Sequence, residues 1–314
     1  MGWQSMRMFS KRLNIPVLAL VATVLAACAA NQPTDPLQEQ NIWAETDDLG
    51  MVTASALQLA ERLGEDRVLV VFDIDNTLLA MEQGLGSDQW YYWQKDLEKE
   101  DPCSGDLVNN RLKVQGALFY ASAMRPTQPD AAEQVGLLQD AGIRVIAVTS
   151  RGPDYQLQTF RELRRNGISL WPTALPPKRG YPEAFIPAGG SRQARYEDGV
   201  FLTAGQHKGA MLNALLGKTG TTPPEVVVMV DDKAENLHAV METFDGSQTA
   251  IHAWRYSGED ANVAGLDTRE AAAQWNMAKP ALMQLELIFG PDNFDLPPQV
   301  VREGCGVIGG DDRG

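Results

Sequence analysis

The sequence predicts an α/β fold, a Rossmann-like, doubly wound parallel sheet of about five strands, with a small helical cap insert between the first and second of its polar motifs. Three observations carry this reading. Mostly apolar, β-branched runs of five or six residues recur at 68–72, 143–148 and 226–230, as in strands buried on both faces of a parallel sheet. Between them, apolar residues return every three or four positions, the period of an amphipathic helix. Each run ends in a polar motif: Asp73-Ile74-Asp75-Asn76-Thr77, Thr149-Ser150-Arg151 and Asp231-Asp232. A fourth motif, Lys208-Gly209, opens a helical stretch. Open α/β sheets bind their ligands at the carboxyl ends of the strands.

The elements follow in order along the 314 residues. Arg7, Lys11 and Arg12 precede an apolar run at 13–27 that closes in Leu25-Ala26-Ala27-Cys28. The run is shorter than the roughly 20 residues needed to span a bilayer, so 1–27 reads as a signal peptide. Its end resembles a bacterial lipobox, which implies lipidation of Cys28. Ala29 after it implies an anchor on the periplasmic face of an outer membrane. Polar, proline-bearing residues 28–46 read as a tether.

The main domain is expected over 47–290. Asp47 and Asp48 lead a helix that ends at Gly64, and a strand follows at 67–72. The character then changes over about 80–125, where Gly84-Leu85-Gly86-Ser87, the aromatic run Trp90-Tyr91-Tyr92-Trp93, a charged stretch and a helical pattern near 106–124 form the insert. The alternation resumes with helix 130–141, strand 143–148 and helix 154–166. Residues 171–190 are irregular, and Asp198-Gly199 turns into a strand at 200–202. Helix 208–216, strand 226–230, helix 233–243 and a last strand at 249–254 complete the domain. The tail, 291–314, is expected to be peripheral.

Removal of the signal takes away three positive charges, moving the net charge from −14 to −17. Such a surface argues against nucleic acids and anionic membrane faces as partners. An exported setting permits a bond between Cys103 and Cys305, although spacing leaves the pairing open.

Two carboxylate pairs, a hydroxyl and an ammonium at strand ends suit a metal ion and a phosphate. Asp73 and Asp75 lie two apart at a strand exit, so both can project toward one site. A carboxylate nucleophile repels a phosphate dianion unless a hard cation offsets the charge. Asp231 adds a third acidic oxygen, Lys208 a point charge for a phosphate oxygen, and Thr149, Ser150 and nearby N–H groups hold another. Arg151 fits either a phosphate contact or an ion pair.

The order and type of the four motifs, over residues 67–240, resemble the haloacid dehalogenase (HAD) superfamily of aspartate-nucleophile phosphohydrolases. The resemblance implies that Asp73 forms an aspartyl-phosphate and that Asp75 is the general acid, then the base. It implies that Thr149 and Lys208 hold the phosphate, and that Mg²⁺ is bound by Asp73, by Asp75 through its carbonyl, and by Asp231. Asp232 would stand behind them or act through water. The implied activity is Mg²⁺-dependent hydrolysis of a small-molecule phosphomonoester. Exported lipoprotein acid phosphatases are similar in signal, motif one and insert, but Asn76 departs from their Glu, so their substrates do not carry over. Two other classes remain: a non-catalytic binding or scaffolding module, and a phosphotransferase. Trp90 and Trp93 are candidates for substrate selection by stacking, or they dock the insert onto the core, since they share helical spacing.

Overall fold

The computed structural model describes residues 39–290 together with Leu296 and Cys305. The expected signal, Cys28 and most of the tether and tail lie outside the described residues. The chain forms a mixed α/β domain with a mostly parallel central sheet flanked by helices, consistent with a Rossmann-like fold.

In chain order the elements are β1 (Ile42–Thr46), α1 (Leu49–Leu63), β2 (Val68–Phe72), β3 (Leu79–Met81), α2 (Asp88–Glu100), α3 (Arg111–Ala121), β4 (Met124–Pro126), α4 (Ala131–Asp140), β5 (Arg144–Thr149) and α5 (Gln156–Arg165). Then come β6 (Arg195–Glu197), β7 (Val200–Leu202), α6 (Lys208–Thr219), β8 (Val226–Asp231), α7 (Ala234–Phe244), β9 (Ala250–Tyr256), α8 (Asp260–Ala264) and α9 (Thr268–Phe289). The sheet has seven strands in the order β1-β9-β8-β2-β5-β7-β6, and β6 alone runs antiparallel. From β2 the chain moves outward through β5 and β7, then returns to the other side of β2 as β8. That reversal leaves a crevice at the carboxyl ends of β2 and β8, where open sheets place ligands.

Alternate residues of each strand face opposite sides, and the two faces are packed separately. Val68, Val70, Phe72, Val145 and Val228 meet α1 and α4. Leu69, Val71, Ile146, Val227 and Met229 meet α6 and α7. The first helix starts as its sequence signals imply, with Asp48 accepting from the Gly50 N–H at 2.7 Å.

Several expectations need correction. Residues 42–46, expected in the tether, form edge strand β1, in parallel register with β9. Strand β6, before the Asp198-Gly199 turn, was also missed; at three residues it is too short to show alternation. The stretch after 256 holds α8 and α9, the latter with Pro280 inside it. The excursion over 79–126 stands on a two-stranded ribbon, β3 against β4, with Leu79 opposite Pro126. Its helices α2 and α3 share a third core with α9, containing Leu85, Trp90, Val114, Trp275 and Leu282. Two tail positions are pinned rather than peripheral: Leu296 is buried in that core, and Cys305 is bonded to Cys103, their Cα atoms 5.3 Å apart.

Candidate active site

Strand β2 delivers Asp73 at its carboxyl end, its N–H donating to the Val230 carbonyl of β8 at 2.9 Å. The chain then turns tightly over 74–79, with Asn76 in the left-handed region (φ 58°) that asparagine tolerates. Thr77, fully buried, links motif one to motif four: its hydroxyl accepts from the Asp232 N–H at 3.0 Å. The motif pattern contained Thr77, but nothing local signalled this cross-strand role.

At the end of neighbouring β8, Asp231 is fully buried. Its Oδ1 accepts from the Lys233 N–H and from Asn236 Nδ2, both at 2.9 Å. Lys208, the first residue of α6, lies 2.7 Å from Asp73 Oδ1 and 2.6 Å from Asp231 Oδ2. Gly209 explains how α6 comes so close: a Cβ there would meet the Ala239 carbonyl and Thr243 hydroxyl of α7, each at 2.2 Å.

Carboxylate oxygens of Asp73, Asp231 and Asp232 lie within 4.8 Å of one another. Asp232 Oδ1 is buried without a hydrogen-bond partner. An orphaned acceptor facing a cluster of hard oxygen donors is what a divalent ion such as Mg²⁺ would satisfy. The electrostatics agree. Burial pushes the Asp73 carboxyl up to about 7, with Asp231 and Asp75 adding to the rise and Lys208 opposing it. Burial, then the charge of Asp73, pushes Asp232 up to about 8. Burial would draw the Lys208 ammonium down, but Asp231 and Asp73 hold it above the ordinary lysine range. One ammonium among three carboxylates leaves net negative charge for a cation to offset.

Asp75 is expected to serve the ion through its backbone carbonyl, and its side chain is engaged elsewhere. Both carboxylate oxygens of Asp75 are engaged by Arg151, through Nε (2.9 Å) and Nη2 (2.7 Å), so its side chain stands outside the three-carboxylate cluster. Asp232, expected to stand behind the ligands or act through water, has a carboxylate oxygen in the cluster itself. Arg151 is held in turn by the Thr159 hydroxyl at 2.9 Å and lies 4.4 Å over the Phe119 ring. It is a buried ion-pair residue, one of the two alternatives its spacing allowed. Thr149 is fully buried at the end of β5, its hydroxyl accepting from the Arg151 N–H at 3.2 Å. Ser150 is exposed and lines the adjoining cavity.

That cavity, about 680 Å³, is bounded by Asp75, Ser150, Arg151 and Lys208 below and by Asp88, Tyr91, Tyr92 and Phe119 from the insert. Trp90 and Trp93 are not in its wall. Trp90 is 0% exposed in the third core, with Trp93 packed against it. Of the two roles open to them, docking is the one their packing shows, and tyrosines of the same helix face the cavity. Lys233 ties this wall to the acidic cluster: its Nζ lies 2.5 Å from Asp88 Oδ2 and 4.1 Å over the Tyr92 ring. Burial alone would lower this ammonium, yet Asp88 and Asp232 hold it raised. His207 caps α6, its Nδ1 accepting from the Ala210 N–H at 3.2 Å.

Fold and site together define an α/β protein with a cluster of three aspartates at the switch point of its sheet. Residues 47–287 match the family model described as "Protein of unknown function (DUF2608)", and the chain belongs to that family. None of the curated proteins matches it.

Proposed function

We propose that this protein is a Mg²⁺-dependent phosphomonoesterase of the HAD type, working through an aspartyl-phosphate. The observation that carries the proposal is the convergence of Asp73, Asp231 and Asp232, with Lys208 bridging Asp73 and Asp231, at the carboxyl ends of two adjacent central strands. A bound Mg²⁺ supplies charge neutralisation for an anionic nucleophile meeting an anionic ester. Asp73 attacks phosphorus, forming an acyl-phosphate bond as the bond to the leaving oxygen breaks. Asp75 hands a proton to that oxygen, which requires the Arg151 fork to release one carboxylate oxygen. Water then attacks the phosphoryl group, Asp75 takes its proton, and Asp73 is regenerated with release of phosphate. Lys208 offsets charge on the transferring phosphoryl group, and the helices over 79–126 limit water and leaving-group size. The Cys103–Cys305 disulfide supports an oxidising, exported setting, in keeping with a lipid-anchored protein.

The test is release of phosphate from an aryl phosphate with Mg²⁺ and with chelator. Turnover restored by Mg²⁺ after chelation is expected. Full activity in chelator would remove the metal from the proposal, and no turnover across a metabolite panel would favour a binding module.

A further inference from the structure

The wall of the cavity that comes from the core holds an arrangement that phosphoryl transfer does not require. Gln206, two residues before Lys208, is 9% exposed, and its amide is committed to one neighbouring turn. Its Oε1 accepts from the N–H groups of Ser191 (2.8 Å) and Arg192 (3.1 Å). Its Nε2 donates to the carbonyls of Arg192 (3.1 Å) and Thr203 (2.8 Å). The turn is built tightly around this amide: a Cβ on Gly190 would lie 2.8 Å from Gln206 Oε1. A buried amide with all its bonds made specifies one geometry, so the fold itself sets the place of the Arg192 backbone beside the Lys208 loop. The side chain is steered by one bond, from Nη2 to the Gly205 carbonyl at 3.1 Å, and it lines the cavity.

Charge makes the placement informative. Three cations about the site are neutralised: Arg151 by Asp75, Lys208 by Asp73 and Asp231, Lys233 by Asp88. Among the described residues Arg192 has no carboxylate partner, in a chain whose net charge is −14. Lys95, on the insert's wall, likewise has no ion pair among the described residues and lies 5.6 Å from the Tyr92 ring. Two acids without an ion pair among the described residues also line the cavity: Glu235, in the first turn of α7, where the helix dipole favours it, and Asp154, in a three-residue turn ahead of α5. Arg192 is exposed where its turn lines the cavity, its guanidinium open to a ligand as well as to water. Stacking of a flat group is not what the aromatic wall offers, because Arg111, Lys233 and Arg151 already lie over Tyr91, Tyr92 and Phe119 at 5.3, 4.1 and 4.4 Å.

We propose that Arg192 is the specificity residue of this site, and that the preferred substrate is a phosphomonoester whose leaving group carries a second anionic group, a carboxylate or a further phosphate. The planar guanidinium matches either anion, and Lys95 of the insert lines the same cavity. The substrate half of this inference rests on the phosphomonoesterase reading; anion capture by Arg192 does not.

The experiment compares phenyl phosphate, 4-carboxyphenyl phosphate and 1,4-phenylene bisphosphate as substrates of the full chain, R192K and R192Q, after checking that all three proteins melt alike. The native chain is expected to favour the anionic esters by roughly tenfold or more in kcat/KM. R192Q erases that preference while changing phenyl phosphate at most a few-fold, and R192K keeps part of it. The ester with the larger loss identifies the anion. Equal losses on all three, or no preference in the native chain, overturn the proposal. Calorimetric titration with phenylphosphonate, 4-carboxyphenylphosphonate and 1,4-phenylenebisphosphonate reads the same contact without chemistry. A difference between the native chain and R192Q confined to a ligand with the second anion sustains the inference even if no ester is hydrolysed, which would sink the phosphatase reading alone. Equal affinities of the native chain for phenylphosphonate, 4-carboxyphenylphosphonate and 1,4-phenylenebisphosphonate refute it.

Discussion

Asp73, Asp231 and Asp232 take their positions from the ends of two adjacent strands in the middle of the sheet, whereas Asp88, Tyr91 and Tyr92 take theirs from a helix carried on a two-stranded ribbon. The first group is locked by backbone pairing: residues 68–72 lie in register with 226–230, so the acids that follow must arrive side by side. The second group is placed by side-chain packing, through Trp90 into the core with α9 and through the Asp88–Lys233 pair. Rigid strand ends suit chemistry that needs charges fixed to a fraction of an ångström, and a packed helix suits a wall whose residues select the substrate. Four substitutions or conditions sharpen this contrast.

The largest effect is expected from Asp73→Asn. A neutral amide of the same volume cannot form the acyl phosphate, so turnover should fall by at least about a thousandfold, roughly 4 kcal/mol in the barrier. Removing one of three mutually repelling buried carboxylates should leave the melting temperature of the metal-free protein unchanged or higher. A variant keeping a tenth of native turnover would mean that Asp73 is not the nucleophile.

Trp90→Ala breaks the other region. Emptying a fully buried indole site costs about 3–5 kcal/mol, read as a lower denaturant midpoint, while the relative rates among phosphomonoesters stay the same. Changed substrate ratios at unchanged stability would return Trp90 to the cavity wall.

Between the two regions stands Lys233. Both side chains are partly exposed, which moderates the pair, so a double-mutant cycle of Lys233→Met and Asp88→Asn should give a coupling of about 1–2 kcal/mol. A larger KM with kcat little changed is expected for either single variant. Additive effects would show that the insert is held without this link.

The smallest effect is a pH dependence. Asp73 and Asp232 titrate near 7 and 8 in the folded chain, above the ordinary carboxylate range. The folded state therefore keeps protons that the unfolded state has lost, and stability falls as pH rises from about 4 to 8. Mg²⁺ binds the deprotonated carboxylates, so it should raise the melting temperature more at pH 8 than at pH 5, by a few degrees for a domain of this size. An equal increment at both values would place the ion elsewhere.

Much of this could be read from sequence. The apolar runs ending in Asp73, Thr149 and Asp231 announced buried strands, and the Asp48 cap and Gly64 stop marked α1. Helix α9 was not legible: Met277, Leu287, Ile288 and Phe289 are exposed and Pro280 interrupts its pattern, so no clean apolar stripe marks it. That gap is why both roles stayed open for the tryptophans. Helical spacing separates the Trp90–Trp93 face from the face of Asp88, Tyr92 and Lys95, but spacing does not say which face meets α9 and which meets the cavity.

By itself, then, the sequence determined which groups stand at the strand ends, because a strand's alternation and a motif's spacing are local properties of the chain. Tertiary structure decided which of those groups act together. Arg151, arriving from β5, drew the Asp75 carboxylate out of the acidic cluster, and the Thr77 hydroxyl steadied Asp232 beside it. The turn around Gln206 set Arg192 at the cavity. Each of these pairings joins residues far apart in the chain, and a hydrogen bond is governed by distance and direction in space, which no local pattern of residues records.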